Sequence, residues 1–367
     1  MRKKIPIAEP DLKGNELKYV TKCIRTNWIS SNGSYVPEFG EKFAKYCGVK
    51  HGIPVSNGTV ALHLALLAFD IGPGDEVLIP GLTFAATANA VLYVGAKPVF
   101  LEVDRFNWCL DPKGIEKKIS KRTKAIIPVH LYGHPVNMPA IMKIARKYKI
   151  FVIEDAAEAH GALVNGKKVG SFGEMSCFSF FGNKTITTGE GGMVVTNDKK
   201  LAEKVKYLRD GARDRAVSLY YHAQLGYNYA LTNLQAAVGL AQLERINKFI
   251  SRKRKIAEIY KKTFKGFDKI EFSPEEKWAR STYWMSSIVL TDKSKASRDR
   301  LIHRLSEANI ETRPFFYPIY KLPYINHKIR LPVVDYLASN GLNLPSGVTL
   351  TEKEALYVAR TVMNILS

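Results

Sequence analysis

Lys184 lies between an aromatic run and a glycine cluster, in the stretch FSFFGNKTITTGEGGMV at residues 178–194. A lysine attacks a carbonyl carbon only when its amine loses its proton readily, which burial and neighbouring groups can bring about. Most lysines of a basic chain are solvated surface charges, and the position of Lys184 taken alone favours that ordinary role. Its value as a candidate nucleophile depends on what other polar stretches could join it.

A second stretch, SNGTVALHL at residues 56–64, has the residue types that begin a helix. Ser56, Asn57 and Thr59 are all N-cap types, and Gly58 allows a ligand to approach the backbone closely. A helix that starts here would direct free N–H groups and the positive end of its dipole toward an anion. On its own, the pattern more often indicates an ordinary capped helix.

A third stretch, VIEDAAEAHG at residues 152–161, places Glu154 and Asp155 at the end of an apolar run, with Glu158 and His160 after them. Carboxylates at the end of a strand can pair with a ligand cation, although a loop carboxylate that caps a helix is as common. Pyridoxal phosphate needs a phosphate cup, a carboxylate at its pyridine nitrogen and a lysine for the Schiff base. The three stretches together therefore predict one pyridoxal phosphate site.

The elements that must position these residues follow a βαβ rhythm from about residue 50 to 200. Strand candidates are GIPV, DEVLIP, AKPVFLEV, TKAIIPVHLYG and IFVIED, and helix candidates are TVALHLALLAF and MPAIMKIARKYK. This alternation predicts an α/β domain with a mostly parallel sheet, and ligands of such sheets bind beyond the carboxyl ends of the strands. The second candidate stretch follows a predicted strand, and the third begins within one.

A change of pattern near residue 245 predicts two domains, 1–245 and 246–367. The sequence between 232 and 264 is helical in pattern, and later residues alternate short strands such as TYWMSSIVL with helices such as SRDRLIHRLSEAN. We expect a large domain that binds the cofactor, with a mixed and mostly parallel sheet, and a smaller C-terminal α/β domain.

Composition restricts the class of protein. The chain has 367 residues, 46% of them hydrophobic, which suits a globular protein with a sizeable core. It lacks an apolar run long enough for a membrane span, and no apolar segment follows the basic start MRKKIPIAEP, so we predict neither a membrane span nor a signal peptide. The cysteines are scattered without metal-ligand spacing, which predicts free thiols in a reducing cytoplasm and no metal site. They are Cys23, Cys47, Cys109 and Cys177.

The formal net charge of +21 raises a rival hypothesis, a basic nucleic-acid-binding or regulatory protein without catalysis. The excess is mostly lysine spread along helical stretches, and no zinc-finger spacing or aromatic-interleaved RNA signature accompanies it. Net charge alone indicates only non-specific association, and the same positive charge would also attract an anionic small substrate. We therefore predict neither nucleic acid nor membrane as a partner.

Five longer motifs carry a family resemblance over essentially the whole chain. They are VSNGTVALHLAL, IPVHLYGHP, VIEDAAEAHGA, FFGNKTITTGEGGMVVTND and GYNYALTNLQAAVGLAQLE. In these the chain resembles the sugar-nucleotide aminotransferases of the DegT/DnrJ/StrS type, which have the aspartate-aminotransferase fold of type I pyridoxal phosphate enzymes. Relatives that dehydrate sugars at C3 have histidine where this chain has Lys184, so the lysine favours transamination.

The resemblance implies a role for individual positions. Lys184 would form the Schiff base with the cofactor, Asp155 would hold its pyridine nitrogen, and Glu158 would lie near its phenolic oxygen. Phe84 would stack on the ring. The phosphate would be bound by Gly58, Thr59 and Ser179, and by Asn228 of a neighbouring subunit, which implies a homodimer with shared active sites.

The substrates are also implied by the resemblance. Within the family the chain is most similar to members that transfer an amino group from L-glutamate to C4 of GDP-4-keto-6-deoxy-D-mannose. A UDP- or dTDP-linked 4-keto-6-deoxy sugar is the alternative. Implied sugar-nucleotide contacts are Trp28, Ser30, His160, Arg313 and Tyr317. The two aromatic residues could equally belong to the core, the arginine to a surface ion pair, and the histidine to a loop.

The chain departs from this family pattern between residues 211 and 230. Relatives have a tryptophan–histidine pair near Tyr221 and His222, and usually arginine where this chain has Ala230. These differences fall in the loop expected to face the sugar nucleotide. They leave the predicted cofactor chemistry intact and make the identity of the sugar and base an open question.

Overall fold

The computed structural model describes residues 4–214, 216–292, 297–325 and 328–367. In chain order its helices are α1 (Glu16–Arg25), α2 (Tyr35–Cys47), α3 (Gly58–Ala68), α4 (Ala86–Tyr93), α5 (Met138–Tyr148), α6 (Lys199–Arg209), α7 (Asn233–Glu244), α8 (Ile246–Thr263), α9 (Arg298–Glu307), α10 (Pro332–Asn340) and α11 (Glu352–Leu366). Short 3₁₀ turns cover Pro112–Gly114, Glu116–Lys118, Leu131–Gly133 and Ile319–Lys321.

The strands, again in chain order, are β1 (His51–Val55), β2 (Glu76–Pro80), β3 (Lys97–Leu101), β4 (Thr123–Ile126), β5 (Phe151–Asp155), β6 (Leu163–Val164), β7 (Lys167–Lys168), β8 (Met175–Ser179), β9 (Gly192–Thr196), β10 (Ile270–Phe272), β11 (Ala279–Arg280), β12 (Ser286–Leu290), β13 (Arg313–Pro314) and β14 (Gly341–Leu344). The strand and helix predictions made from the apolar patterns between residues 51 and 307 are confirmed.

The main sheet has the strand order β1-β9-β8-β5-β4-β2-β3. The pairs β2–β3, β2–β4, β4–β5 and β5–β8 are parallel, whereas β9 runs antiparallel to both of its neighbours, β8 and β1. Strands β2, β8 and β9 are buried at every position, as expected for a sheet covered by helices on both faces. The prediction of an α/β fold with a mixed, mostly parallel sheet is confirmed.

This order brings the candidate stretches to one edge of the sheet. Asp155 ends β5 and Ser179 ends β8, and these strands are parallel neighbours. Strand β9 is antiparallel to both β1 and β8, so β1 and β8 point in the same direction. Helix α3 follows the end of β1 directly. The carboxyl ends of three strands therefore converge where a ligand is expected.

A second, antiparallel sheet has the order β10-β12-β14-β13. Its apolar face packs with α8, α9 and α11 in a separate core, whose large members include Tyr260, Leu301 and Val358. Ile5 from the start of the chain joins this core, while Ile246 and Phe249 of the first turn of α8 belong to the larger one. The division of the chain at residue 245 stays a prediction.

Two further features concern the chain as a whole. All four cysteines are buried free thiols, as predicted. Among the helices of the described residues, none has the combination of length and apolar character that crossing a membrane requires.

Candidate active site

Lys184 lies in the turn that follows β8, where its backbone N–H donates to the carbonyl of Phe181 at 2.9 Å. Its side chain is only 12% exposed, and its Nζ is 3.7 Å from Oε1 of Glu158. On another side, Nζ lies 4.0 Å from the centre of the Trp284 ring. Burial lowers the pKa of Lys184, and the charges of Glu158 and Asp155 oppose that effect. The amine thus meets the main requirement for a nucleophile, ready loss of its proton.

Asp155 is buried at the carboxyl end of β5. The hydroxyl of Thr87 donates to its Oδ2 at 2.9 Å, and the backbone N–H of Ala157 donates to its Oδ1 at 3.2 Å. The Thr87 hydroxyl is in turn 3.0 Å from that of Thr83. Burial raises the pKa of Asp155, whereas the hydrogen bonds from Thr87 and Ala157 lower it by favouring the carboxylate. The two donors hold the carboxylate in one orientation, facing the region of Lys184.

Glu158 is the third ionisable group of the cluster. Its Oε2 accepts a hydrogen bond of 2.9 Å from the backbone N–H of Tyr132, a buried residue in the left-handed conformation with φ 51°. Burial raises the pKa of Glu158 to about 7, against the opposing charge of Lys184. Burial thus moves both the Glu158 carboxyl group and the Lys184 amine toward their neutral forms, while their mutual attraction favours the charged pair.

The predicted phosphate cup forms where α3 approaches β8. Asn57 caps the helix, since its Oδ1 accepts from the backbone N–H of Val60 at 3.0 Å. A Cβ added to Gly58 would lie 2.9 Å from the Cβ of Ser179, so only glycine allows this approach. The N–H groups of Gly58 and Thr59, the first two of the helix, have no acceptor within it. Gly58, Thr59 and Ser179 are therefore brought together with free donors beside them.

Phe84 is exposed and lies just before α4. Its carbonyl accepts from the backbone N–H of Thr87, which ties it to the residue that holds Asp155. Its ring centre is 5.7 Å from that of Phe316. An exposed aromatic ring so close to the carboxylate cluster is available to stack on a ligand.

Four of the five predicted sugar-nucleotide contacts, Trp28, Ser30, Arg313 and Tyr317, lie on the surface rather than in the core. Trp28 is 56% exposed and Tyr317 is 62% exposed. The carbonyls of Trp28 and Ser30 both accept from Asn233, at 2.7 and 2.9 Å, which fixes this segment on α7. Nη2 of Arg313 is 3.6 Å from the carboxylate of Glu311, a surface ion pair. The described contacts do not join these residues to Lys184, so their roles stay predictions.

His160 differs from the other predicted sugar-nucleotide contacts in its burial. Its side chain is fully buried among aromatic rings, with ring centres 5.4 Å from Phe178, 5.6 Å from Phe180 and 6.3 Å from Phe43. Neither of its ring nitrogens has a hydrogen-bond partner among the described residues. Burial lowers its pKa to about 3, which favours the neutral imidazole, and its role as a substrate contact stays a prediction.

Asn228 is exposed, at the end of a loop that begins at Gly211. A Cβ on Gly226 would be 2.1 Å from the carbonyl carbon of Gly211, so the two ends of this loop touch through their backbones. Just beyond Asn228, the carbonyl of Tyr229 accepts from the N–H of Ser56 at 2.8 Å. The segment that carries Asn228 is thus paired with the phosphate cup of its own subunit. Its reach into a neighbouring subunit stays a prediction.

Three contact residues were not identified from the sequence. Thr87 could have been found, because it lies one helical turn after Phe84 and so points in a similar direction. Tyr132 donates through its backbone, which side-chain chemistry does not reveal. Trp284 lies in the stretch TYWMSSIVL, a hundred residues after Lys184, and no local pattern links the two.

The residues present fit pyridoxal phosphate. A buried lysine of lowered pKa, an oriented buried carboxylate and a glycine-lined helix start meet at one edge of the sheet. Lys184 would hold the aldehyde carbon, Asp155 the pyridine nitrogen, and the start of α3 with Ser179 the phosphate. For a metal there is no comparable site: within the described ranges, no group of three or more histidine, cysteine or acidic residues is arranged to hold one.

Comparison with known proteins agrees with this cofactor. The chain is 46% identical to GDP-perosamine synthase from Escherichia coli O157:H7 over 366 residues, covering 100% of this chain and 99% of the other. It is 42% identical to GDP-perosamine synthase from Vibrio cholerae, with 98% of each chain covered. Among solved structures, DesV from S. venezuelae matches with a TM-score of 0.93 and 31% identity, over 100% of this chain and 99% of that one.

The model of the DegT/DnrJ/EryC1/StrS aminotransferase family matches residues 10–363, nearly the whole chain. The match therefore covers the cluster around Lys184, whose geometry suits an enzyme that transfers amino groups. This protein therefore belongs to the DegT/DnrJ/EryC1/StrS family of pyridoxal phosphate-dependent aminotransferases.

Proposed function

We propose that the protein transfers an amino group from L-glutamate to C4 of GDP-4-keto-6-deoxy-D-mannose, giving GDP-perosamine. The observation that carries this proposal is the 46% identity to GDP-perosamine synthase, which extends over the full length of both chains. The cluster of Lys184, Asp155 and Glu158 supports the reaction type, because it places a buried amine of lowered pKa, a fixed carboxylate and a second carboxyl group together.

Bound pyridoxal phosphate supplies an aldehyde that condenses with amines and a protonated ring that accepts electron density. The chain's own residues keep that ring protonated and in place. Asp155, held by Thr87 and Ala157, would accept a hydrogen bond from the proton on the pyridine nitrogen. The carboxylate must stay charged for this purpose, which explains why two donors counteract its burial.

Lys184 is proposed as the group that moves protons once its amine is free. Its lowered pKa would leave Nζ free to take the proton from Cα of glutamate and pass it to the former aldehyde carbon of the cofactor. In the second half of the reaction Nζ would take a proton from that carbon and deliver it to C4 of the sugar. The charge of Glu158, 3.7 Å away, would stabilise this amine when it carries the proton. An exchange of amino donor for keto acceptor at one site predicts ping-pong kinetics, with 2-oxoglutarate released before the sugar is aminated.

The nucleotide would supply binding energy remote from the reacting carbon. We place it on the surface segments that carry Trp28, Ser30, Arg313 and Tyr317, all of which are exposed. Tyr317 directly follows Phe316, whose ring lies against Phe84, so a substrate that reached the cofactor would pass this aromatic surface.

The proposal includes a homodimer in which Asn228 of each subunit completes the phosphate cup of the other. Its support is the exposed position of Asn228 on a segment anchored beside the cup. The cytoplasm is the proposed location, because four buried free thiols suit a reducing compartment.

Mass spectrometry of reactions with L-glutamate and matched GDP-, UDP- and dTDP-linked 4-keto-6-deoxy sugars tests the substrate. We expect amination of the GDP-mannose derivative at a kcat/KM at least about a hundredfold above the others, since loss of well-placed polar contacts costs about that factor. A K184A preparation is the control for non-enzymatic amination.

Preferential amination of a UDP- or dTDP-linked sugar would refute the GDP assignment while leaving the reaction type intact. A protein that binds pyridoxal phosphate and aminates none of the sugars would refute the sugar-nucleotide reaction as a whole.

A further inference from the structure

Trp284 contacts the Lys184 segment twice, although it comes from the C-terminal part of the chain. Its indole N–H donates to the carbonyl of Asn183, the residue before Lys184, at 2.8 Å. The face of its ring lies 4.0 Å from the Lys184 Nζ. The ring is buried, and Nζ of the buried Lys253 donates to the Trp284 carbonyl at 3.1 Å. Backbone and ring of Trp284 are thus both fixed.

The two contacts have different consequences for the lysine. The hydrogen bond to Asn183 fixes the turn but does not distinguish a charged amine from a neutral one. The ring face does, because a cation is attracted to the negative face of an aromatic ring and a neutral amine much less so. Tryptophan is the best aromatic residue for this interaction, and the absence of water strengthens it.

We propose that Trp284 is a positioning residue that stabilises the protonated form of the Lys184 amine once that amine has taken up a proton. Burial alone favours the neutral amine, the form that acts as a base. The ring face gives the protonated amine a fixed position beside Glu158, from which it can pass the proton on. The inference rests on the proposed role of Lys184, and it is independent of which sugar nucleotide is the substrate.

Other charged groups near Lys184 set the background for this effect. On the large-domain side these are Glu158 and Asp155, which favour the charged amine. On the opposite side, Lys253 lines a cavity of about 10 Å³ together with Lys184, Glu9 and Asp11. Each of these groups is present in any Trp284 variant, so a comparison between two such variants cancels their contribution.

The test compares W284F with W284L in the full-length, cofactor-free protein. Both variants lose the indole N–H, and only phenylalanine keeps an aromatic face. Lys184 is acetylated at a series of pH values, and the rate at its peptide is measured by mass spectrometry with the exposed Lys113 as internal reference. Circular dichroism and thermal unfolding identify any variant that has not folded.

We expect the pKa of Lys184 to be about one pH unit lower in W284L than in W284F, and highest in the wild type. Below that pKa, acetylation of Lys184 should then be about tenfold faster in W284L than in W284F at the same pH. Equal pKa values of Lys184 in W284F and W284L would overturn the proposal, because any difference from the wild type would then be due to the lost indole N–H alone. A higher value in W284L would also overturn it, by showing that water entry outweighs the ring. If Lys184 had no catalytic role, the comparison of W284F with W284L would still give the same result. The loss of the proposed function would then be seen in the activity of K184A instead.

Discussion

At the scale of single residues, the site sets opposite requirements for two buried groups. Burial moves both Lys184 and Asp155 toward their neutral forms. Asp155 receives two hydrogen bonds that favour its charge, whereas Lys184 has its carboxylate partner at 3.7 Å, beyond hydrogen-bond distance. In the same buried environment, hydrogen bonds oppose the neutralisation of the carboxylate, whereas no hydrogen bond from Glu158 opposes the loss of a proton by the amine.

Replacing Lys184 with alanine should lower kcat by at least about a thousandfold, because both the covalent anchor and the mobile base are lost. The measurement is steady-state amination with L-glutamate as donor.

In the wild type, borohydride reduction followed by peptide mapping should place the cofactor on Lys184 and leave Lys253 unmodified, although Lys253 is also buried with its pKa lowered to about 7. Appreciable turnover by K184A, or cofactor found on Lys253, would contradict the assignment.

Replacing Thr87 with valine removes the hydroxyl that donates to Asp155 at 2.9 Å. The pKa of Asp155 should rise further, so its charged form, and with it activity, should be lost at a higher pH as the solution is acidified. We expect kcat to fall about tenfold near neutral pH and the acidic limb of the kcat profile to move upward. The pH dependence of kcat is the measurement. T87S keeps the hydroxyl and should resemble the wild type; identical profiles for all three proteins would rule out this role.

Sequence patterns identified the residues whose chemistry is explicit in their type. Lys184, Asp155 and Glu158 meet as expected from a lysine in a glycine-rich turn and carboxylates at a strand end. The full burial of His160 could not be predicted from the sequence. The aromatic rings that surround it, from Phe43, Phe178 and Phe180, come together only in the folded chain.

At the scale of elements, apolar periodicity located strands β1–β5 and β12 and helices α3, α5 and α7–α9, but it did not order the strands in the sheet. The pattern GGMVVT does not show that β9 lies between β1 and β8 and antiparallel to both. This order follows from which buried faces fit together across the sheet. Nor could the sequence show that Trp284, just before β12, packs against the turn after β8.

The close approach of α3 and β8 gives a prediction for this pair of elements. In G58A, the new Cβ would be 2.9 Å from the Cβ of Ser179, so the helix start must move away from the strand end. We expect binding of pyridoxal phosphate to weaken about tenfold and the free energy of unfolding to fall by about 1–3 kcal/mol. Absorbance titration with the cofactor and chemical denaturation measure the two effects.

A glycine elsewhere serves as the matched control for that prediction. Gly114 has no atom within 4 Å of an added Cβ, so G114A should change neither cofactor affinity nor stability appreciably. Unaltered cofactor binding in G58A would show that the helix start is not the phosphate cup.

At the scale of the whole molecule, the net charge of +21 produces a field that attracts anions. The proposed sugar nucleotide carries two phosphates, so its encounter with the protein should depend on ionic strength. We expect kcat/KM for the sugar nucleotide to fall about fivefold between about 50 and about 300 mM NaCl, with little change in kcat because the chemical step is buried. Initial rates measured in NaCl and KCl at equal ionic strength check this. A kcat/KM that is insensitive to salt would mean that the charge serves another purpose.

The contact between Gly211 and Gly226 has a consequence for the design of new variants. These two glycines close the base of the loop that we expect to face the sugar nucleotide, while residues 229–230 remain paired with the predicted phosphate cup. The loop can therefore be replaced from one glycine to the other as a unit, provided that the buried Ala212 is kept. If this loop selects the sugar nucleotide, a loop grafted from another aminotransferase at these two positions should change substrate preference and leave cofactor binding intact.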